Sequence, residues 1–428
     1  MKTVFMIAPY FVPRRRVGSL RPYRFVIHLQ SFGWKPVVCT IQDQSQEKTD
    51  AEIQALKNVE ILELKPPFDR TGGPPASSGM KKKRTLSSKA ADALAEWFDS
   101  QVPMDTWIFL FRSSYGKILE KARAENPDII WSTGDPWSGH WVGHKLSRDL
   151  NKPWIADFRD PWTQTNLNLR RRSRFSDWRD RKLEKKFISA ADRVVFTSKA
   201  TERAYQQHYR LDEEKTATIY NSYHPVDQES SDGEWDAEID SSRVNLLFFG
   251  SFRRLSPAAP VANAVGKLTP EEREKIRIHS FGNLEESDTE YLEKMRLKHQ
   301  FITHEKVLPT MAPSVFKKAD LLLLSTSRER KHIIPAKLWE YLNSDKPILS
   351  IAPNPEIGEI LARAGAGVHF ENQDSDAIAR FLSAAVQKKE KGEKPVEITR
   401  KPKTDLEFSP EYTTRQLAGI MEELTTDG

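Results

Sequence analysis

The sequence predicts an α/β protein with two doubly wound parallel sheets, and three observations lead to this fold class. The chain has 428 residues, too many for one hydrophobic core and enough for two domains of roughly 200 residues each. Short apolar runs alternate with helical stretches along both halves, which is typical of βαβ units. Polar or small residues follow these runs, at the sheet edge where α/β proteins place their ligands.

The first half contains six predicted strands. We place an N-terminal domain at residues 1–225, within which residues 66–90 are rich in Pro, Gly, Ser and Lys and are predicted to be a mobile insertion. Because the sequence opens directly on a strand without a long apolar region, we expect no secretory signal. The predicted strands are Thr3–Ala8, Val37–Ile41, Asp128–Trp131, Trp154–Ala156, Arg193–Phe196 and Thr218–Ser222.

The second half begins after a linker that is acidic and rich in serine, at residues 226–242. A C-terminal domain follows at residues 243–405, and residues 406–428 form a separate helical segment. The predicted strands of this domain are Asn245–Gly250, His279–Gly282, Val307–Leu308, Leu321–Leu324 and Ile348–Ile351.

Composition limits the classes of protein that the chain can be. The net charge is only +6, and the single cysteine, Cys39, excludes a disulfide framework and indicates a reducing compartment. The longest apolar runs, such as Trp107–Phe111, are far shorter than a membrane span. We therefore expect a cytoplasmic protein, and peripheral contact with the inner face of a membrane stays open. No cluster of His, Cys or carboxylate ligands is evident, so we expect no essential metal.

Basic residues are unevenly spread. Runs occur at Lys81–Arg84, Arg170–Arg174 and Arg179–Lys186. They either meet an anionic lipid or a diphosphate-linked substrate, or they are ordinary solvated faces, and the sequence leaves both interpretations open.

The segment Ile334–Pro347 carries the clearest chemical signal. It follows the apolar run Leu321–Leu324 and a polar loop, and Pro335 suits the first turn of a helix. A diphosphate at such a helix start would be held by backbone N–H groups and by Lys337. Glu340, about one turn further, is placed to accept hydrogen bonds from ribose hydroxyls. This pattern predicts a nucleotide-diphosphate site.

Two strand ends of the first half carry further candidates. Asp157, Arg159 and Asp160 follow one strand, and charges there persist only if they are paired or used. The alternative is an internal Asp–Arg salt bridge that shapes the loop. Asp135 and His140 follow the preceding strand and suit an acceptor sugar, or they cap the next helix.

The Ile334–Pro347 block resembles the donor-binding motif of family 4 glycosyltransferases, which are retaining enzymes of the GT-B fold. Glu340 matches the second glutamate of that motif, and Lys346-Pro347 matches its ending. His332 stands where the family has its first glutamate, and Glu329 is an alternative substitute. The resemblance implies two Rossmann-like domains facing across a cleft, with the C-terminal helix returning to the first domain.

The resemblance also implies the reaction and its partners. A sugar would pass from a nucleotide-diphosphate donor to the hydroxyl of a sugar, lipid-linked or small-molecule acceptor, in polysaccharide, glycolipid or other glycoconjugate biosynthesis. Nucleic acid is not an expected partner. Asp157, Arg159 and Asp160 would orient the donor sugar. Further substrate contacts would come from Arg14, His332 and three residues predicted to meet the acceptor, which are Asp135, Trp137 as a stacking platform, and His140.

Donor contacts in the resemblance come from both halves of the chain. They are Gly18, Ser19, Gly250, Ser251, Arg253, Arg254, Val307, Lys337, Leu338 and Glu340.

Two other classes of function stay open. A sugar-nucleotide epimerase of the same fold would use the same cradle with carboxylates poised for elimination, and a non-catalytic protein would bind polyanions or a membrane surface through the basic runs.

Overall fold

A computed structural model describes residues 1–14, 17–43, 47–66, 97–164, 172–223, 235, 238–307, 311–402 and 407–426. The chain divides into two compact units. Unit 1 combines Met1–Tyr220 with Pro410–Gly428, and unit 2 is Asn221–Ser409. The predicted insertion at residues 66–90 lies outside the described residues except for Pro66, and most of the predicted linker at 226–242 does as well.

Unit 1 is built on a seven-stranded sheet in the order β3-β2-β1-β4-β5-β6-β7, in which every neighbouring pair is parallel. The order reverses between β1 and β4, which is the switch point of a doubly wound sheet. The strands are β1 (Lys2–Ile7), β2 (Trp34–Ile41), β3 (Glu60–Leu64), β4 (Ile129–Gly134), β5 (Trp154–Phe158), β6 (Arg193–Phe196) and β7 (Thr216–Thr218).

Helices cover both faces of this sheet. Along β1, Phe5 and Ile7 belong to one hydrophobic cluster, whereas Val4 and Met6 belong to another, as the two-residue period of a strand requires. Residues 97–101 are also helical. The first helices of the chain are α1 (Val17–Leu29), α2 (Asp50–Ala55), α3 (Ile108–Glu125), α4 (Ser138–Leu150), α5 (Arg174–Ala190) and α6 (Lys199–Tyr209).

Unit 2 repeats the architecture with six parallel strands in the order β10-β9-β8-β11-β12-β13. Its strands are β8 (Val244–Phe248), β9 (Ile276–Phe281), β10 (Phe301–His304), β11 (Leu321–Ser325), β12 (Ile348–Ile351) and β13 (Gly367–Phe370). Its helices are α7 (Ala259–Gly266), α8 (Pro270–Glu274), α9 (Glu286–Lys294), α10 (Ala312–Lys317), α11 (Lys337–Leu342), α12 (Pro355–Ala364) and α13 (Ser375–Glu390).

The two sheets confirm the predicted fold class of two doubly wound parallel-sheet domains. Several strand predictions differ from the structure. The edge strands β10 and β13 are not predicted, and the strand predicted at Thr218–Ser222 shares only Thr218 with β7. The edge strand β3 is not predicted, because only Leu64 of its five residues is buried. The strand predicted at Val307–Leu308 is wrong at Val307, which lies in the loop after β10, and Leu308 is outside the described residues.

The final helix, α14 (Pro410–Thr426), belongs to unit 1 although unit 2 precedes it in the chain. Leu417 and Met421 are fully buried and join the cluster that contains Val4 and Met6. At the surface, Lys2 Nζ lies 2.6 Å from the carboxylate of Glu422. Unit 1 is therefore made from both ends of the sequence. Among the described helices, none is long and apolar enough to cross a membrane.

One buried ion pair joins three parts of unit 1. Nε of Arg21 lies 2.8 Å from Oδ2 of Asp157, and its Nη2 lies 3.0 Å from Oδ1. The Nη1 atom donates to the carbonyl oxygens of Ile219 and Tyr220, at 3.0 Å each. Because Arg21 donates to both carboxylate oxygens, the predicted role of Asp157 in orienting a sugar has to compete with this internal pair. The pair links α1, the end of β5 and the segment after β7.

We expect Asp157→Asn to destabilise unit 1 by about 3 kcal/mol, because it leaves the buried Arg21 guanidinium without its counter-charge. Urea unfolding followed by tryptophan fluorescence measures this, since nine of the 11 tryptophans lie in unit 1. Asp160→Asn is the matched control on the same loop and should change stability by less than about 0.5 kcal/mol, because Asp160 is 47% exposed. Unchanged stability in Asp157→Asn with a loss of activity would instead return Asp157 to a substrate role.

Candidate functional site

Two loops meet at the carboxyl edge of the unit 2 sheet. The loop after β8 contains Gly250–Arg254, and the loop after β11 leads to Lys337 at the start of α11. Strands β8 and β11 are hydrogen-bonded neighbours at the point where the strand order reverses. Ligands of doubly wound sheets bind at such switch points.

Lys337 reaches from α11 to the loop after β8. Its Nζ lies 3.7 Å from the centroid of the Phe248 ring, and a Cβ atom on Gly250 would come within 2.7 Å of it. Gly250 also has a φ of +132°, a conformation that side chains disfavour. Glycine is thus required here both for the backbone conformation and for the approach of the ammonium group.

The charge of Lys337 is not neutralised within the described part of the chain, where it forms no ion pair. Burial, together with the smaller effect of the nearby positive charges of Arg253 and Arg330, lowers the pKa of Lys337 to about 7. Arg253 is exposed on the loop after β8. This edge of unit 2 therefore concentrates positive charge around a partly buried amine.

Tyr341 fixes the loop that Lys337 touches. Its phenol oxygen accepts the N–H of Phe249 at 2.8 Å, and the ring is fully buried. Sequence reasoning does not single out Tyr341. The available signal is its spacing of four from Lys337, which places both side chains on one face of α11.

Arg254 and Glu329 bind each other. The Nη1 atom of Arg254 lies 2.7 and 2.6 Å from the two carboxylate oxygens of Glu329. The pair is exposed, and it offsets the charge of one of the two arginines predicted to hold a diphosphate. The same pair occupies both carboxylate oxygens of Glu329, which is the alternative candidate to replace the missing first glutamate of the motif. Arg253 is left as the loop arginine that best fits the prediction.

The remaining predicted donor contacts of unit 2 differ in how far their side chains are buried. Leu338 is buried in the core, and its N–H donates to the carbonyl of Pro335 at 3.0 Å, so it offers neither a polar side chain nor a free N–H. The helix starts at Lys337, two residues later than predicted, and has six residues. Glu340 is partly exposed in its first turn. Ser251 and Val307 are partly exposed in loops after β8 and β10.

His332 lies partly buried in the loop before α11. Burial lowers the pKa of His332, and the charge of Lys331 lowers it further. The imidazole is therefore neutral near pH 7, unlike the carboxylate that the motif usually has at this position.

In unit 1, Arg159 packs against the start of α1. Its Nε lies 3.1 Å from Oδ2 of Asp160, and its Nη2 lies 3.3 Å from the carbonyl oxygen of Asp135. A Cβ atom on Gly18 would lie only 1.8 Å from Nη1 of Arg159. This Nη1 atom and the hydroxyl of Ser19 are both buried and have no hydrogen-bond partner among the described residues. They are therefore candidate donors for a ligand oxygen.

Burial alone would lower the pKa of Arg159, but the carboxylates of Asp160 and Asp135 reverse this and raise it. The guanidinium therefore stays charged. Arg14, by contrast, is already paired: its Nε lies 3.1 Å from Oδ2 of Asp43, and both side chains are nearly buried. The predicted substrate contact by Arg14 has to compete with this internal pair.

His140 is fully buried, which lowers its pKa to about 3 and keeps the ring neutral. Its Nδ1 lies 2.8 Å from the hydroxyl of Ser132, which also accepts the indole N–H of Trp154. Since the Ser132 hydrogen has no other acceptor among the described residues, it points to Nδ1 and the ring carries its own proton on Nε2. That Nε2 atom has no partner among the described residues.

Trp137 is in the core, with its ring stacked on Trp162 at 5.1 Å and an angle of 7°. One face of the indole is therefore covered, and the role of Trp137 as a stacking platform for a sugar stays a prediction. Asp135 is only partly buried beside it. Within the described residues, no group of three or more His, Cys, Asp or Glu side chains is placed to hold a metal ion.

Comparison with known proteins agrees with this geometry. The family model described as Glycosyltransferase Family 4 matches residues 90–225, and the one described as Glycosyl transferases group 1 matches residues 234–402. In sequence comparison, no curated protein matches the chain.

Similar solved structures extend over the whole chain. Sucrose-phosphate synthase (tll1590) from Thermosynechococcus elongatus has a TM-score of 0.63 at 12% identity, covering 100% of both chains. Anabaena Alr3699/HepE in complex with UDP has a TM-score of 0.52 at 13% identity, covering 100% of this chain and 98% of its own. A putative UDP-N-acetylglucosamine 2-epimerase from Listeria monocytogenes also has a TM-score of 0.52 at 13% identity, covering 100% and 97%.

At these identities, the structural likenesses establish the fold, and the two family models establish the class of protein. Together the models extend over most of the sequence, one in each half. The chain is a glycosyltransferase of the GT-B fold, with a family 4 domain followed by a group 1 domain.

Proposed function

We propose that this glycosyltransferase moves a sugar from a nucleotide-diphosphate donor to an acceptor hydroxyl, with retention of configuration at the anomeric carbon. The observation that carries the proposal is Lys337, a partly buried ammonium group against Gly250 that no described carboxylate neutralises. Buried charges are normally paired, so this amine suits an anion that the chain does not supply. The UDP bound by the Anabaena protein supports a nucleotide as that anion.

In unit 2, the proposed contacts follow from position and charge. Lys337 and Arg253 bind the diphosphate, with Gly250 and Ser251 allowing it to approach the backbone. Glu340 accepts hydrogen bonds from the ribose, and Val307 borders the nucleotide. Because Glu329 is held by Arg254, we assign the place of the missing glutamate to His332, which is neutral there.

In unit 1, the unpartnered donors are assigned to the sugars. Arg159 and Asp160 orient the donor sugar, with Ser19 beside them at the start of α1. Asp135 and the Nε2–H of His140 contact the acceptor. The N–H of a neutral imidazole suits an acceptor hydroxyl better than a cationic group would, because neither group then carries a buried charge.

The proposed chemistry needs positioning and charge from the chain, and no protein nucleophile. The bond between the anomeric carbon and the diphosphate oxygen breaks, and the acceptor oxygen bonds to that carbon on the same face. The acceptor proton moves to a phosphate oxygen of the leaving nucleotide diphosphate. Lys337 and Arg253 then stabilise the negative charge that grows on the leaving group.

The epimerase alternative fits the structure less well. Elimination requires carboxylates free to exchange protons, but Arg21 binds both oxygens of Asp157, and Asp160 is exposed and paired with Arg159. The acceptor is proposed to be a sugar, a lipid-linked sugar or a small molecule used in polysaccharide, glycolipid or other glycoconjugate biosynthesis.

A panel of UDP-, GDP- and ADP-sugars tests the proposal directly. We expect one donor to bind and to release its nucleotide diphosphate slowly in water and faster with a suitable acceptor, and NMR of the product should show the donor's anomeric configuration. If no donor binds and Glu340→Ala changes nothing, the proposed donor site is wrong. A product with the inverted anomeric configuration would contradict the retaining mechanism but not the donor site. A different sugar nucleotide formed in the absence of acceptor would indicate an epimerase.

We expect Lys337→Met to weaken binding of the donor identified by the panel roughly 10- to 100-fold, because it removes a charge-assisted hydrogen bond to the diphosphate. Isothermal titration calorimetry measures the dissociation constant. Lys331→Met is the matched control, since Lys331 is exposed on the same loop. The ligand-free Lys337→Met protein should unfold at the same temperature or a higher one, because an unpaired buried charge is lost. Lower stability with unchanged affinity would assign Lys337 a structural role.

Donor binding should also depend on pH near neutrality. With a pKa of about 7, the amine of Lys337 is largely uncharged at pH 8.5 in the free enzyme, and a bound diphosphate raises its pKa by favouring the charged form. The dissociation constant should therefore increase up to about tenfold per pH unit above pH 7 until the pKa of the complex is reached. Calorimetry in two buffers of different ionisation enthalpy should show uptake of nearly one proton per nucleotide-sugar at pH 8.5. Lys337→Met should abolish the uptake, and uptake that survives this change would contradict the assignment.

A further inference from the structure

Most of the exposed large apolar side chains of the described residues are aromatic and lie on two adjoining segments of unit 1. Seven such side chains are exposed, and the two outside these segments are Met1 and Ile53. The other five, which we call the aromatic patch, are between 41% and 61% exposed: Trp97, Phe98, Phe109, Phe175 and Trp178.

The two segments of the aromatic patch are hydrogen-bonded to each other. The N–H of Ser173 donates to the carbonyl of Ser100 at 3.0 Å, and Nη1 of Arg172 donates to the carbonyl of Asp99 at 3.2 Å. Asp180 accepts the N–H of Met104 at 2.6 Å. The patch is thus held on a fixed framework and is not a set of scattered surface residues.

The exposed side of α5 combines part of this patch with unpaired positive charge. Phe175 and Trp178 share that side with five exposed cations that form no ion pair with any described residue. These cations, which we call the basic face of α5, are Arg174, Arg179, Lys182, Lys185 and Lys186.

All acidic residues of α5 are engaged elsewhere. Asp177 pairs with Arg181 at 2.9 Å, and Asp180 is buried against Arg172. Glu184 is fully buried, where it accepts hydrogen bonds from Tyr209 and from the backbone N–H of Thr163. The basic face therefore carries positive charge that its own helix does not compensate.

We propose that the basic face of α5 and the aromatic patch bind the surface of a membrane that contains anionic lipids. Aromatic and long cationic side chains together suit the boundary between headgroups and acyl chains, where rings enter the apolar region and the charged ends of lysine and arginine reach the lipid phosphates. This inference goes beyond sugar transfer and does not depend on it.

The ring geometry favours a lipid over a single-stranded nucleic acid. Base stacking needs free ring faces, but Lys182 Nζ covers one face of Trp178 at 4.0 Å from its centroid, and Phe98 and Phe109 cover one face of each other at 6.2 Å. Insertion between lipid headgroups needs only exposed apolar bulk and nearby cations, which these pairs retain.

Cosedimentation of the full chain with vesicles tests the proposal. We expect binding to vesicles of phosphatidylcholine mixed with phosphatidylglycerol, weak binding to phosphatidylcholine alone, and loss of binding at high salt. Lys182→Gln with Lys185→Gln should weaken binding roughly tenfold or more, because each lysine near an anionic surface contributes about a fivefold effect. Phe175→Ser with Trp178→Ser should also weaken it, even at low salt.

The matched control is Lys388→Gln with Lys391→Gln, which removes the same charge from exposed positions at the end of α13 in unit 2. It should bind vesicles like the unchanged protein, and all variants should keep the same unfolding temperature. No binding to anionic vesicles, equal weakening by the control, or no effect of the aromatic substitutions would overturn the proposal. Tighter binding to a single-stranded oligonucleotide that displaces the vesicles would assign the surface to nucleic acid instead.

Discussion

The buried pair between Arg21 and Asp157 is the interaction on which unit 1 depends. It joins the first helix, a central strand and the segment that follows the last strand of the sheet, all through one guanidinium group. A charge without access to water must have a partner, so each half of the pair fixes the position of the other. Both oxygens of the Asp157 carboxylate accept from Arg21. With that carboxylate already occupied, Arg159 contacts Asp160 and the carbonyl of Asp135, and one of its nitrogens is left for a ligand.

In unit 2, a cation without a described carboxylate partner lies at the carboxyl edge of the sheet of that unit. There the buried cation, Lys337, rests on an aromatic ring and a glycine and has no carboxylate among the described residues. The chain therefore uses similar charged groups in two ways. The guanidinium of Arg21 is satisfied internally and holds three parts of unit 1 together. The amine of Lys337 is not neutralised by any described carboxylate, and this difference is the basis of the proposed donor site.

Much of the fold and part of the site follow from local sequence. The run Leu321–Leu324 predicts a central strand because it is apolar throughout, and β3 escapes prediction because it is mostly exposed at an edge. Gly250, Lys337 and Glu340 are predicted as candidate site residues from their order around a strand and a helix start. The pairing of Arg21 with Asp157 joins residues 136 positions apart, and that of Arg254 with Glu329 joins residues 75 apart, so neither can be read from spacing. The same holds for the stacking of Trp137 on Trp162, which depends on how two loops fold over the core.

The position of α14 has a consequence for synthesis of the chain. Residues 1–220 leave the ribosome before unit 2, but Leu417 and Met421, which complete their hydrophobic cluster, leave only after it. Unit 2 is continuous in sequence and can fold while unit 1 still exposes the apolar surface that α14 later covers. The hydrophobic core of unit 1 is therefore complete only when α14 has been synthesised and has packed against it.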